Sequence, residues 1–274
     1  MPAEAAMPAL LECRDVSVRF GGVLALAEVD FTVARGAIAA LIGPNGAGKT
    51  TLLNAITGMA PIYGGVIRFA GADITAMPPH RRSKAGVVRT FQNLEIFSNM
   101  TVLENVMTGA HRRVKYNLLD AVFKTPRYFR AEKQCVGVAM DCLEFVGLAA
   151  ARDLPAGELP FGNQRLLELA RGIAAAPELL LLDEPAAGLN MKETRQLGAL
   201  ISRIRDERGV TIALVEHDMD LVMSISDEIT VLQYGQELAK GTPAAIQRNP
   251  KVVAAYLGDD EDGDDDRGAG RANA

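Results

Sequence analysis

The sequence predicts an α/β fold with a mostly parallel core sheet, on three observations. Residues 37–42, 179–182 and 210–215 are short apolar runs that read as buried strands. Between the last two lies a helical pattern, Leu197, Leu200, Ile201 and Ile204, with Gly209 past its end, and strand–helix–strand at that spacing means a parallel pair. The first run leads through a glycine-rich stretch into Leu52, Leu53, Ile56 and Thr57, spaced as the inner face of a helix. With 274 residues the chain holds one large α/β domain, or one with a sizeable insertion.

The remaining elements fall around this core. Apolar–polar alternation at Val16, Val18, Phe20 and at Val29, Phe31, Val33, separated by Gly21-Gly22, predicts antiparallel strands before the first core strand. Residues 65–69 and 87–91 read as further strands. From about 93 to 176 the pattern is helical: Thr101 with Glu104 makes a capping pair, Pro126 divides the basic stretch 112–133, and Leu166, Leu167, Leu169, Ala170, Ile173 and Ala174 repeat at helical spacing up to Pro177. Strands at 228–233 and 236–240 and two short helices near Pro243 and Pro250 close the chain.

Bulk composition excludes several classes. No apolar run approaches the ~20 residues that span a bilayer. Residues 1–15 lack the basic start and apolar stretch of a signal peptide. A soluble, cytoplasmic chain is expected, reaching a membrane only through a partner. Cys13, Cys135 and Cys142 lack metal-ligand spacing and read as core thiols. Seven acids and two arginines in residues 258–274 account for the whole net charge of −5, so the body is neutral and carries no basic footprint for nucleic acid. That Gly/Asp-rich tail is expected to be disordered.

The glycine-rich stretch carries chemistry. Gly43, four residues, then Gly48-Lys49-Thr50 between a strand and a helix is the pattern and context of a phosphate-binding P-loop. Glycines at 43, 46 and 48 let backbone N–H groups converge on a polyphosphate. The helix start adds unpaired N–H groups and its dipole. Lys49 supplies a mobile charge for the β/γ-phosphates, and the Thr50 hydroxyl can ligate Mg²⁺. A nucleoside triphosphate is the expected ligand. No Asn-Lys-x-Asp guanine-reading motif is present, which argues against a GTPase. Downstream, Asp183-Glu184-Pro185 follows a core strand. Asp183 at that edge suits the Mg²⁺ shell, and Glu184 beside the γ-phosphate could polarise an attacking water.

These stretches, with RTFQN at 89–93, LPFGNQRLLELARGIA at 159–174, LLLLDEP at 179–185 and LVEHD at 214–218, resemble the ordered motifs of an ABC-type ATPase. The finer pattern (VRFGG, VVRTFQN, MTVLENV, DEPAAGLN, VEHDMDLVM, AAYLG) is similar to the ATP-binding subunits of branched-chain amino acid importers. The resemblance implies a P-loop NTPase domain over 8–257: a RecA-like core sheet with an N-terminal antiparallel subdomain (about 8–92 and 177–257), an inserted helical subdomain (about 93–176), and the acidic tail 258–274. It implies that Gly43, Pro44, Asn45, Gly46, Ala47, Gly48, Lys49, Thr50 and Thr51 hold ATP. Gln92 would be the Q-loop residue, touching Mg²⁺ or the attacking water, so Thr50, Gln92 and Asp183 form the metal set. His217 would contact the γ-phosphate. Phe20 would stack on adenine, a contact worth about 1–3 kcal/mol by analogy with base stacking; as a residue alone it equally suits a strand-edge core position.

The signature that usually reads Leu-Ser-Gly-Gly-Gln is here Leu159-Pro160-Phe161-Gly162-Asn163. Pro160 has neither hydroxyl nor N–H, removing a donor to the partner's γ-phosphate worth roughly 1.5–3 kcal/mol. Asn190 stands where Asp is usual in the D-loop, and with Glu193 it also fits a helix N-cap. In this family two subunits sandwich two ATPs, each P-loop meeting the other's signature. An altered signature beside an intact P-loop implies two unequal sites and a heterodimer with a related ATPase subunit, a homodimer being the alternative. The implied partners are two membrane permease subunits and, indirectly, a solute-binding protein, with the chain peripheral at the cytoplasmic face of the cell membrane. The competing readings are a soluble ABC-type ATPase acting on nucleic acid, the same motor serving another small solute such as urea, and a nucleotide-dependent interaction module with little turnover.

Overall fold

The computed structural model describes residues 9–90, 95–113, 120 and 122–262. Two sheets form its frame. In the first, β1 (Ala9–Phe20) pairs antiparallel with β2 (Val23–Ala34) through the turn at Gly21-Gly22, and on its other side with β4 (Gly64–Phe69), which β5 (Ala72–Asp73) extends. The second runs in the order β10-β9-β3-β8-β7-β6, where β3 is Ile38–Ile42, β6 Val87–Arg89, β7 Leu179–Asp183, β8 Thr211–Val215, β9 Glu228–Gln233 and β10 Gln236–Gly241. All its pairings are parallel except β9–β10.

Every residue of β3, β7 and β8 is buried, which is why these runs are apolar throughout rather than alternating. Their two faces serve different cores. Ile38, Leu180, Leu182, Ile212 and Leu214 pack toward the helical side, while Ala39, Leu41, Leu179, Leu181, Ala213 and Val215 pack toward the antiparallel sheet and α1 (Lys49–Thr57). This period-2 division fixes the register, since a slip of one residue would exchange the faces.

The helices α3 (Val102–Ala110), α4 (Pro126–Val146) and α5 (Phe161–Ala174) pack against one another. Thr101 and Glu104 form the reciprocal capping box at the start of α3. Pro126 divides the basic stretch as expected, opening α4 at its first position behind the Thr125 cap, where its missing N–H costs nothing. Cys135, Ala139, Cys142 and Val146 form the inner stripe of α4, and all three cysteines of the chain are buried.

Beyond these, α6 (Met191–Arg208) joins β7 to β8, and α7 (Met219–Ile225), α8 (Pro243–Gln247) and α9 (Pro250–Asp262) cover the far end. Sequence reading places no helix at α2 (Pro79–Ala85) or α7. The sequence Pro-His-Arg-Arg-Ser-Lys-Ala of α2 has no apolar period. It is held instead by buried Arg82, which donates to the carbonyls of Ala55 (2.6 Å) and Ile56 (2.8 Å) at the end of α1 and to those of Thr75 (2.8 Å) and Met77 (2.7 Å). The chain also departs from the expected disorder at 258. Helix α9, anchored by Val252 and Ala255, propagates to Asp262, because extending a nucleated helix costs little. Among the described residues no helix is long and apolar enough to cross a membrane.

Candidate functional site

Three adjacent strands of the parallel sheet deliver the site at their C-terminal ends: the loop after β3, Asp183-Glu184 after β7 and Glu216-His217 after β8. Ligands of open parallel sheets bind at this edge.

The loop after β3 can only be built from glycine at two points. Gly43 has φ +148°, and a Cβ there would stand 2.1 Å from the Leu232 carbonyl oxygen. Gly48 has φ +102°, with a Cβ position 2.6 Å from Leu26. Leu232 and Leu26 come from β9 and β2, so both sheets press the loop into its curve. Gly46 faces open space. No side chain caps α1, whose N-terminal N–H groups open onto the loop. Lys49 is buried, its Nζ donating to the carbonyls of Gly43 (2.6 Å) and Pro44 (2.9 Å). Burial pushes its pKa down, while the carboxylates of Glu184 and then Asp183 push it back up. Asn45 on this loop and Thr50 in the first turn of α1 are exposed.

Asp183 is 3% exposed. Its Oδ2 accepts from the Arg89 guanidinium at 2.7 Å, and Arg89 also donates to the Asn54 side chain at 2.6 Å. Its Oδ1 is buried with no hydrogen-bond partner among the described residues. Such an orphaned carboxylate oxygen fits a hard cation: Mg²⁺ takes oxygen donors and is held by one or two carboxylates plus substrate phosphates, so it requires no cluster of protein ligands. None is found among the described residues.

Glu184 adopts φ +49°, a left-handed backbone that costs a non-glycine residue about 1–3 kcal/mol. Its N–H donates to the Val215 carbonyl at 2.8 Å. Its Oε2 lies 3.8 Å from Nδ1 of His217, whose ring is largely exposed. Next to His217 in the chain, Glu216 is 1% exposed and accepts backbone N–H groups from both loops. Burial pushes its pKa up against the pull of those hydrogen bonds.

The structure thus brings the P-loop, Asp183, Glu184 and His217 to one edge. Gln92 lies outside the described residues. Phe20 is about half exposed, at the tip of the β1–β2 hairpin, and so is not a core residue. Residues 161 and 162 lie against the segment 188–193. Pro160 is the N-cap residue of α5 and contributes no side-chain cap, while Leu159 is buried. Phe161 lies beneath the Arg165 guanidinium (5.5 Å) and against Gly188, where a Cβ would come within 2.9 Å of the ring. A Cβ on Gly162 would reach the Glu193 carboxylate at 3.0 Å. Asn163 is half-buried next to it. Asn190 is the N-cap of α6, accepting from the N–H groups of Lys192 and Glu193 at 3.0 Å each in a reciprocal capping box. Sequence reading gave no role to Arg89 or Glu216. The only signal for Arg89 was its place at the head of the 89–93 motif, and for Glu216 its place beside His217.

A loop of this geometry beside an edge carboxylate pair defines a P-loop nucleotide-binding protein, and comparisons with known proteins refine the class. The ABC transporter family matches residues 26–187, and the branched-chain amino acid ATP-binding cassette transporter family matches residues 236–262. The fold is similar to the solved ADP conformation of an ATP-binding cassette of an ABC transporter, with TM-score 0.80 and 32% identity over 92% of this chain and 100% of the other. A nucleotide-free cassette gives TM-score 0.79 at 32% identity, covering 91% and 99%. The chain is 48% identical to the high-affinity branched-chain amino acid transport ATP-binding protein BraF of Pseudomonas aeruginosa, and 44% identical to its counterpart LivG of Escherichia coli. Both matches span 91% of this chain and 98% of the relative. The chain belongs to the ABC transporter family and is an ATP-binding ATPase subunit of that family.

Proposed function

We propose that this chain is the ATP-hydrolysing subunit of an importer for branched-chain or related amino acids. It would act through two membrane permease subunits, which receive solute from a binding protein. The observation that carries the chemistry is the convergence of Lys49, Asp183 and Glu184: burial pushes the lysine's pKa down, and the two carboxylates oppose that push and favour its charged form. In this reading Lys49 exchanges the Gly43 and Pro44 carbonyls for the β/γ-phosphates of ATP, and residues 43–51 give their N–H groups to the same phosphates. Phe20 stacks on the adenine. Thr50 and the orphaned Oδ1 of Asp183, with Gln92, would hold Mg²⁺. When bound, that ion neutralises charge on the β- and γ-oxygens. Glu184 takes the proton of the attacking water as general base, and His217 meets the γ-phosphate.

The partner's ATP would face Leu159, Pro160, Phe161, Gly162 and Asn163 of this chain. With proline in place of a donor and phenylalanine in place of a glycine, that half-site is the weaker one, which supports pairing with a different ATPase subunit. The location follows as peripheral, on the cytoplasmic face of the membrane.

Glu184→Gln tests the reading. The variant should bind ATP yet lose about 10²–10⁴ of kcat, and should be recovered from membranes as an ATP-trapped complex with permeases and a second ATPase subunit. Recovery with nucleic acid and no membrane protein would overturn it. Full activity from a transporter holding two copies of this chain alone would sink the heterodimer.

A further inference from the structure

Glu216 places a carboxylate in the interior where no nucleotide contact requires one. It is the residue between the end of β8 and His217, and it is 1% exposed. Its two oxygens serve two different loops. Oε1 accepts the N–H of Ala186 at 2.7 Å, and Oε2 accepts those of His217 at 3.0 Å and Asp218 at 3.4 Å. One residue earlier, the Val215 carbonyl accepts the N–H of Glu184 at 2.8 Å. Residues 215 and 216 therefore fasten the turn 184–186 at both ends.

That turn needs fastening. Glu184 sits at φ +49°, which a glutamate leaves for the β or right-handed helical region unless its neighbours prevent it. A carboxylate is the side chain suited to the task. It offers acceptors on both oxygens and no donor, whereas glutamine would turn an NH₂ toward one of the N–H groups.

We propose that Glu216 is a positioning residue for ATP hydrolysis: it clips the turn carrying Glu184 to the loop carrying His217, holding Glu184 in its left-handed backbone and fixing its distance to the imidazole. The hydrogen bonds of Glu216 go to Ala186, His217 and Asp218 and not to the P-loop, so it acts on turnover and not on nucleotide affinity. This rests on the assignment of Glu184 as general base.

Hydrogen exchange and steady-state kinetics on the assembled transporter test it. Glu216→Ala should speed amide exchange at Ala186 and His217 at least tenfold, with residues 46–51 unchanged. It should lower kcat at least tenfold and leave the ATP dissociation constant within twofold. Glu216→Gln, which keeps one acceptor, should fall between. On a Glu184→Gln background, Glu216→Ala should remove little more. Wild-type kcat despite faster exchange would overturn the proposal, as would a kcat loss that merely follows a loss of ATP affinity. If Glu216→Ala does not fold, Glu216→Gln decides, and wild-type kcat and exchange there overturn it. Wild-type kcat in Glu184→Gln alone would instead remove the base assignment, whatever the exchange data show.

Discussion

The Arg89 guanidinium donates to Asp183 Oδ2 at 2.7 Å, and both side chains are almost fully buried, at 5% and 3% exposure. Arg89 ends β6 and Asp183 ends its neighbour β7, so the pair locks the ends of these two strands together at the edge where the P-loop lies. The same guanidinium reaches Asn54 in α1. One charge thus ties together β6, β7 and α1.

Arg89→Ala leaves a buried carboxylate without its counter-charge. Breaking a buried pair from one side costs about 3–5 kcal/mol, and denaturant unfolding should show a loss of that size. Arg89→Lys keeps the charge but cannot fork between Asn54 and Asp183, so its loss should be smaller.

Lys49→Ala removes the cation whose charge the carboxylates of Glu184 and Asp183 favour. A hydrogen bond to a charged group contributes roughly 1.5–3 kcal/mol. Calorimetry should therefore show ATP binding weakened by about 10- to 150-fold, with the fold intact, since the side chain's own partners are two loop carbonyls.

Glu216 sets a pH dependence. Its folded pKa lies above the ordinary 4.5, so the native state binds its proton more tightly than the unfolded chain does. Its contribution is fully present below about 4.5 and is lost as pH rises through the folded value. Glutamine does not titrate. The stability of wild type minus that of Glu216→Gln, read from unfolding curves, should therefore shrink as pH rises from about 4.5 and then level off. A difference that grows with pH over that range would contradict the burial argument.

Asn190→Ala should cost about 0.5–2 kcal/mol through the lost capping box of α6, seen as a lower thermal midpoint. Asn190→Asp keeps both acceptor bonds and adds charge at a helix N-terminus, so it should restore or raise that midpoint.

What was legible in the sequence was whatever depends on residue type at short spacing. Gly43 to Thr50, the apolar runs of β3, β7 and β8, Asp183-Glu184 and the cap at Asn190 all belong to that class, and the sheet brings the first of these to the same edge as Asp183-Glu184. What was not legible depends on which strands become neighbours. Glu216 reads as one more polar residue until β8 lies beside β7 and its carboxylate meets the N–H of Ala186. Arg89 reads as a charged strand end until β6 joins β7. Helix α2 was hidden for a related reason, since its anchor is a buried arginine bonded to carbonyls of α1 rather than an apolar stripe.

The contact of Phe161 with Gly188 restricts how this chain can change. A phenyl ring occupies the space where any side chain at 188 would begin, and the carboxylate of the α6 cap borders Gly162 in the same way. Restoring glycine at 161 alone would open a gap beside Gly188, and enlarging 188 alone would collide with the ring. Gly188 is moreover at φ +80°, so a side chain there is strained even with the ring removed: position 188 is held to glycine twice over, and lineages descending from this sequence should vary 161 before 188.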